Sequence, residues 1–156
     1  AGVSRGAQAH YFSTKAELVV EALRHLSDKL ITDLKAGPVK QAGTEKERYA
    51  AILDRLWALH HEPIFIAALE LWTAARTDVE LRENLSRFAR DFTATTAALA
   101  VDLMPERAAR PEFRAQMELA MSSMRGLAMH QSVDTPRHVA RSWAAVRGQL
   151  LELAGD

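Results

Sequence analysis

The sequence predicts an all-α protein, and three observations carry that expectation. Apolar residues recur at three- and four-residue spacings in nearly every segment, which is the period of an amphipathic helix. No stretch sustains the apolar–polar alternation of a strand. The segments are also punctuated by residues that start and stop helices, among them Thr44 with Glu47, Pro63, Asp78, and Thr135 followed by Pro136.

In chain order, Leu18, Ala22, Leu26 and Leu30 place a helix over 14–34, with Thr14 and Glu17 as its capping box. Ala36-Gly37-Pro38 breaks it, and with Gly43 marks 36–43 as a linker. A second helix carries Tyr49, Ile52, Leu53, Leu56 and Trp57 and stops near His60-His61-Glu62-Pro63, because proline disfavours helix at the residue before it. Pro63 itself opens a third helix, with Phe65, Leu69 and Trp72 on one side. Asp78 caps a long helix whose stripe of Leu81, Leu85, Phe88, Phe92, Leu99 and Leu103 runs to Met104-Pro105. Pro111 opens a helix bearing Phe113, Met117, Ala120, Met121 and Met124. The last helix follows Thr135-Pro136 and carries Val139, Trp143, Val146, Leu150 and Leu153.

The 156 residues are 48% hydrophobic and 26% charged, the balance of a globular chain rather than a disordered one. No apolar run is long enough to span a bilayer, and no membrane partner is expected. Cysteine is absent, which excludes disulfides and thiolate metal sites and makes the cytoplasm the default compartment. With 20 basic and 20 acidic residues the net charge is zero, so contact with nucleic acid has to be local rather than a basic coat. No hydrolase elbow, P-loop, HExxH or dinucleotide-binding glycine pattern is present. Catalytic residues, metal ligands and cofactors are therefore not expected. The adjacent His60 and His61 point about 100° apart on a helix and suit capping or surface positions better than a shared metal.

The first 30 residues read as a unit. Gly2 suits a tight turn and Ser4 a helix N-cap. Arg5-Gly6-Ala7-Gln8-Ala9-His10-Tyr11 then forms a short helix ended by Phe12, and Ser13-Thr14-Lys15 starts the next. Small side chains at Gly6 and Ala9 let a helix approach base edges, where Arg5 and Gln8 have the donors to read them. Lys15 at a helix start opposes the helix dipole, and a phosphate outside the protein would explain it.

This stretch, AGVSRGAQAHYFSTKAEL, resembles the second half of the helix-turn-helix of TetR-family regulators in Gly2, Val3, Ser4, Gly6, His10, Tyr11, Phe12, Thr14, Lys15 and Leu18. Leu71 to Asp78 resembles, less diagnostically, a segment of that family's regulatory domains. The resemblance implies a ligand-responsive repressor that binds a palindromic double-stranded operator as a homodimer. Arg5, Gly6 and Ala9 would face the major groove, and Ala7, His10, Tyr11 and Lys15 the phosphates or groove wall, with Ser4 at the start of the helix. Gln8 and Ala9 depart from the family's usual aliphatic and tyrosine residues, which leaves base preference open. The first helix of that motif and most of the second have no counterpart here, so the expectation is a longer biological protein. The division expected is 1–35 as the end of the DNA-binding domain with its connecting helix, 36–43 as linker, and 44–156 as a ligand-binding and dimerisation domain.

In that body Trp57, His60, His61, Phe65, Leu69, Trp72, Phe88, Phe92, Met121 and Met124 are the candidate lining for an apolar small-molecule effector. The competing reading is that they are simply core. Met117, Val139, Trp143, Val146, Leu150 and Leu153 follow a seam suited to a four-helix dimer interface. Packing within one subunit is the alternative there. A helical small-molecule-binding or scaffold bundle without DNA binding is the rival to the regulator as a whole.

Overall fold

The computed structural model describes the backbone of residues 5–37 and 43–155 and the side chains of 17–37 and 43–155. Among the described residues there are seven helices and no strand: α1 (Arg5–Ala36), α2 (Glu45–Leu59), α3 (Pro63–Ala74), α4 (Val79–Leu103), α5 (Pro105–Ala108), α6 (Phe113–His130) and α7 (Pro136–Ala154). None is long and apolar enough to cross a membrane.

The ends of these helices obey local chemistry. Thr44 and Glu47 form a reciprocal capping box, with Thr44 N donating to the Glu47 carboxylate at 2.9 Å. The Asp78 carboxylate accepts from Leu81 N and the Thr135 hydroxyl from His138 N, so each satisfies an amide that the helix cannot. Pro63, Pro105 and Pro136 occupy first turns, where a missing N–H costs nothing. Gly37 follows the end of α1, and a Cβ there would stand 2.6 Å from the Asp33 carbonyl oxygen.

Two boundaries differ from the sequence expectation. No break separates a short helix at Arg5–Tyr11 from the next one; α1 runs unbroken for 32 residues. Between Ala7 and Ala36 there is neither glycine nor proline, and Ser13-Thr14 costs a helix only tenths of a kcal/mol. The turn α5 was not anticipated, and α6 starts at Phe113 rather than at Pro111. The four residues of α5 are held from outside, since the Glu45 carboxylate accepts from Glu106 N at 3.1 Å and Arg107 N at 2.8 Å.

Two apolar clusters hold the helices together. One joins Leu30 and Leu34 of α1 to Tyr49, Leu53 and Leu56 of α2, to Leu99 and Leu103 of α4, and to residues of α6 and α7. The other joins Val19, Val20 and Leu23 of α1 to Phe65 and Leu71 of α3, Leu81, Leu85 and Phe88 of α4, and Ala128 of α6. Phe92 packs against both. Each large side chain so buried contributes about 1.5–3 kcal/mol. The helix α1 therefore serves both clusters, and residues 19–34 of it are part of the body's core.

Polar ties fix the helices' register. Lys35 of α1 pairs with Asp102 of α4 at 3.2 Å, and Arg147 of α7 grips both oxygens of Asp54 in α2, at 2.6 and 2.7 Å. Arg107, buried beside the Tyr49 ring, donates to the Ala154 carbonyl at 2.7 Å, and Arg110 donates to the same oxygen at 2.9 Å. Two guanidinium groups thus close the carbonyl end of α7.

Candidate functional site

The residue that caps the end of α2 places a polar ring in the core. His60 is 0% exposed, and its Nδ1–H donates to the Leu56 carbonyl at 2.7 Å. With the proton on Nδ1, Nε2 is an acceptor, and it is buried without a partner. The imidazole lies 4.0 Å from the Phe65 ring. Burial pushes its pKa down to about 4; the Leu56 hydrogen bond works against that, and the Arg125 and His61 charges add to it. The ring is neutral at pH 7.

Arg125 approaches from α6. Its guanidinium sits 5.1 Å above the Trp72 ring, and its Nε is buried without an acceptor. Burial holds this guanidinium below the usual arginine range. No ion pair joins it to a carboxylate among the described residues. The Gln131 amide nitrogen, farther along the chain at the end of α6, is likewise buried and unpartnered.

Ring contacts string the aromatic candidates together. Trp143 stacks on Trp57 at 4.7 Å, Trp57 lies 6.4 Å from His60, and Phe65 meets Trp72 at 6.1 Å. His61 is exposed; its Nδ1–H donates to the Trp57 carbonyl and its ring stands edge-on to the indole. Phe88 and Phe92 stack with each other at 6.0 Å. Met121 and Met124 pack in the first cluster, and Leu69 in the second. The expected effector residues therefore fall in two adjoining parts of the core, apart from His61, which is exposed, and they do not ring a single open chamber.

Open space lies beside them. A narrow cavity of about 20 Å³ is lined by Leu30, Ile52, Leu56, Leu99, Met104 and Met117 among others. A groove of about 170 Å³ runs between α1 and α4, with Phe88 and Phe92 at its base and Arg24, Asp28 and Asp91 at its rim. Sequence reasoning missed the aliphatic lining of the cavity, and it missed Arg125. The signal for Arg125 was its position four residues after Met121 on the apolar side of α6.

The expected dimerisation residues are placed mostly inward. Val139, Trp143 and Leu150 are buried within the subunit, and Met117 and Val146 pack against the same cluster. Leu153 alone of the six is exposed. The exposed face of α6 instead presents Leu119 and Met129, and the turn between α6 and α7 presents Val133, 80% exposed. Gly126 and Gly148 lie in the same two helices, and a Cβ at either would meet nothing within 4 Å.

The DNA-contact candidates lie outside the described residues: Ser4 entirely, and Arg5, Gly6, Ala7, Gln8, Ala9, His10, Tyr11 and Lys15 in their side chains. Among the described residues no group of three His, Cys, Asp or Glu could hold a metal ion.

The class to which this helical body is similar is that of helix-turn-helix transcriptional regulators. The whole chain is 28% identical over 157 residues to the HTH-type transcriptional regulator CymR of Pseudomonas putida, covering 75% of that protein. A segment of 53 residues is 47% identical to the HTH-type transcriptional regulators BetI of Brucella canis and Brucella melitensis, covering 34% of this chain and 26% of theirs. No family model and no solved structure matches the chain.

Proposed function

We propose that this protein is a TetR-type, ligand-responsive transcription regulator that binds palindromic DNA as a homodimer and represses from it. The observation that carries the reading is the end-to-end similarity to a named helix-turn-helix regulator. The linked motif at residues 1–18 and the all-helical body agree with it. Arg5, Gly6 and Ala9 are the proposed groove-facing positions and Lys15 a phosphate contact. The core around Trp57, His60, Phe65 and Trp72 is the proposed effector region. The protein would act in the cytoplasm, where its DNA is.

The proposed dimer face is the outer surface of α6 and α7. Leu119 and Met129 of α6 and Leu153 of α7 expose apolar area there, with Val133 in the turn between them, and the open glycines let a second copy's helices come close. An isologous contact of this kind gives the two-fold symmetry that a palindrome requires.

One observation favours a binding bundle without DNA contact. An unbroken α1 offers no separate recognition helix. Capture of genomic DNA fragments on the full-length gene product at about 0.15 M salt, followed by sequencing, separates the two readings. Enrichment of a short palindrome supports the regulator. Enrichment of nothing, with and without added metabolites, supports the bundle.

A further inference from the structure

We propose that the groove between α1 and α4 is the way into the narrow cavity beside it, with Ile31 as the fixed wall and Phe92 as the movable one, and that the guest it admits is a small uncharged apolar molecule. The inference rests on the reading that the helical body responds to a small ligand, and it adds that ligand's route and chemical class.

The two spaces share a wall. Ile31 of α1 lines both the cavity of about 20 Å³ and the groove of about 170 Å³. On α4 the partition passes between neighbours, since Thr95 lines the groove and Thr96 the cavity. Phe92, one turn before Thr96, lines the groove and packs against both apolar clusters. Ile31 and Phe92 are each half-buried. At Ile31 a single side chain therefore stands between the groove and the cavity.

The two walls differ in freedom. Isoleucine is branched at Cβ, and in a helix its first side-chain torsion is nearly fixed. One turn farther on, the Lys35–Asp102 pair ties α1 to α4. Phenylalanine has no such branch. The Phe92 ring has Phe88 stacked at 6.0 Å on one side and the groove beside it. The Phe92 carbonyl meanwhile accepts from the Thr96 hydroxyl at 2.8 Å, which holds the backbone and leaves the ring to turn. Rotation of that ring is the smallest motion that joins groove to cavity.

The lining sets the guest's chemistry. Arg24, Asp28 and Asp91 stand at the rim of the groove, so its mouth carries both signs of charge. Among the described residues that line the cavity, none is charged. The Thr96 hydroxyl is turned back onto its own helix. A charged guest would lose its hydration there with nothing to replace it, and water finds too few polar partners. Met104 and Met117 form part of the wall. Their flexible, polarizable side chains let a narrow space widen around a guest larger than one atom.

The test follows methyl signals of the full-length gene product, labelled at isoleucine, leucine and methionine, by NMR under xenon and then with benzene. Xenon is expected to shift the methyls of Ile52, Leu56 and Met117 more than that of the exposed Leu153. Ile31→Ala leaves a gap that its surroundings only partly fill, and it should raise the rate of benzene exchange about tenfold. Ile31→Val serves if the alanine variant fails to fold, with a smaller rise. Leu127→Ala truncates a side chain of the same core that lines neither space, and it should leave the rate within about twofold. Benzoate and benzylamine should not move the cavity methyls. The route is overturned by cavity methyls that ignore xenon, by a benzene rate indifferent to the Ile31 variants, or by an equal rise in Leu127→Ala. A response to either charged probe as large as that to benzene overturns the chemical class. The DNA capture above is independent of this: a palindrome held by a protein that admits neither guest leaves the regulator standing, and entry of both guests without a palindrome leaves the route standing.

Discussion

The indole rings of Trp57 in α2 and Trp143 in α7 lie parallel, 4.7 Å between centroids and 15° between planes. Trp143 is 7% exposed before any partner is added. This residue therefore holds α7 to its own subunit. Trp143→Ala is expected to destabilise the folded chain by about 3–5 kcal/mol. Urea denaturation at several protein concentrations checks it. A loss that vanishes on dilution would place the ring between subunits instead.

Assembly should respond to a different residue. Gly126 sits in α6 with open space where its side chain would be. Gly126→Glu is expected to leave the subunit folded, and even to firm its helix by about 0.5–1 kcal/mol. The same carboxylate in the middle of the proposed dimer face should split the dimer. Sedimentation velocity reads the outcome: an intact dimer would move the interface elsewhere.

His60 makes stability depend on pH in a defined window. Its folded pKa of about 4 lies below the ordinary 6.5, so the unfolded chain binds the extra proton between those values. The folded state then has its full advantage above about pH 6.5 and loses it as pH falls toward 4. The loss is on the order of 3 kcal/mol at most. His60→Gln should flatten that part of a plot of urea midpoint against pH. A wild-type midpoint that rises between pH 6.5 and 4.5 would contradict the assignment.

At the DNA-facing end, Arg5→Ala in the full-length gene product should weaken specific operator binding far more than binding to random DNA. Lys15→Ala should weaken both and lower the salt slope by about one unit. Fluorescence anisotropy against a captured palindrome and a scrambled duplex distinguishes them. Equal losses for both variants on both duplexes would remove these roles from the two residues.

Helix ends were the most legible part of the structure. Thr44, Asp78 and Thr135 are local signals, because a cap needs only a side-chain oxygen and an amide a few residues away. The fold class followed from the same periodicity. The break assigned between Tyr11 and Ser13 had no glycine or proline behind it, and α1 runs through it. The apolar stripe of α7 could not say which partner it meets, since a seam against one's own α2 and a seam against another subunit share the same spacing. Arg125 was overlooked because a charge in a helix ordinarily marks the solvated side; burial over Trp72 emerges only when α3 and α6 are brought together. The cavity lining was hidden for a related reason. Leu30, Ile52, Leu56 and Leu99 are individually ordinary core residues, and a gap is a property of how they fail to meet.

The unbroken course of α1 has a mechanical consequence. A helix that is held by both apolar clusters over residues 19–34 and continues to Arg5 would act as a stiff lever if its packing in the body shifted. About 20 Å of it projects beyond Val19, so a rotation of roughly 10° at the clamp carries the far end by about 4 Å. Repacking by one methyl group's width among Val20, Leu23, Leu30 and Phe92 is thus magnified at the tip. The protein needs no large internal rearrangement to move its N-terminal end through a distance comparable to the rise of one DNA base pair.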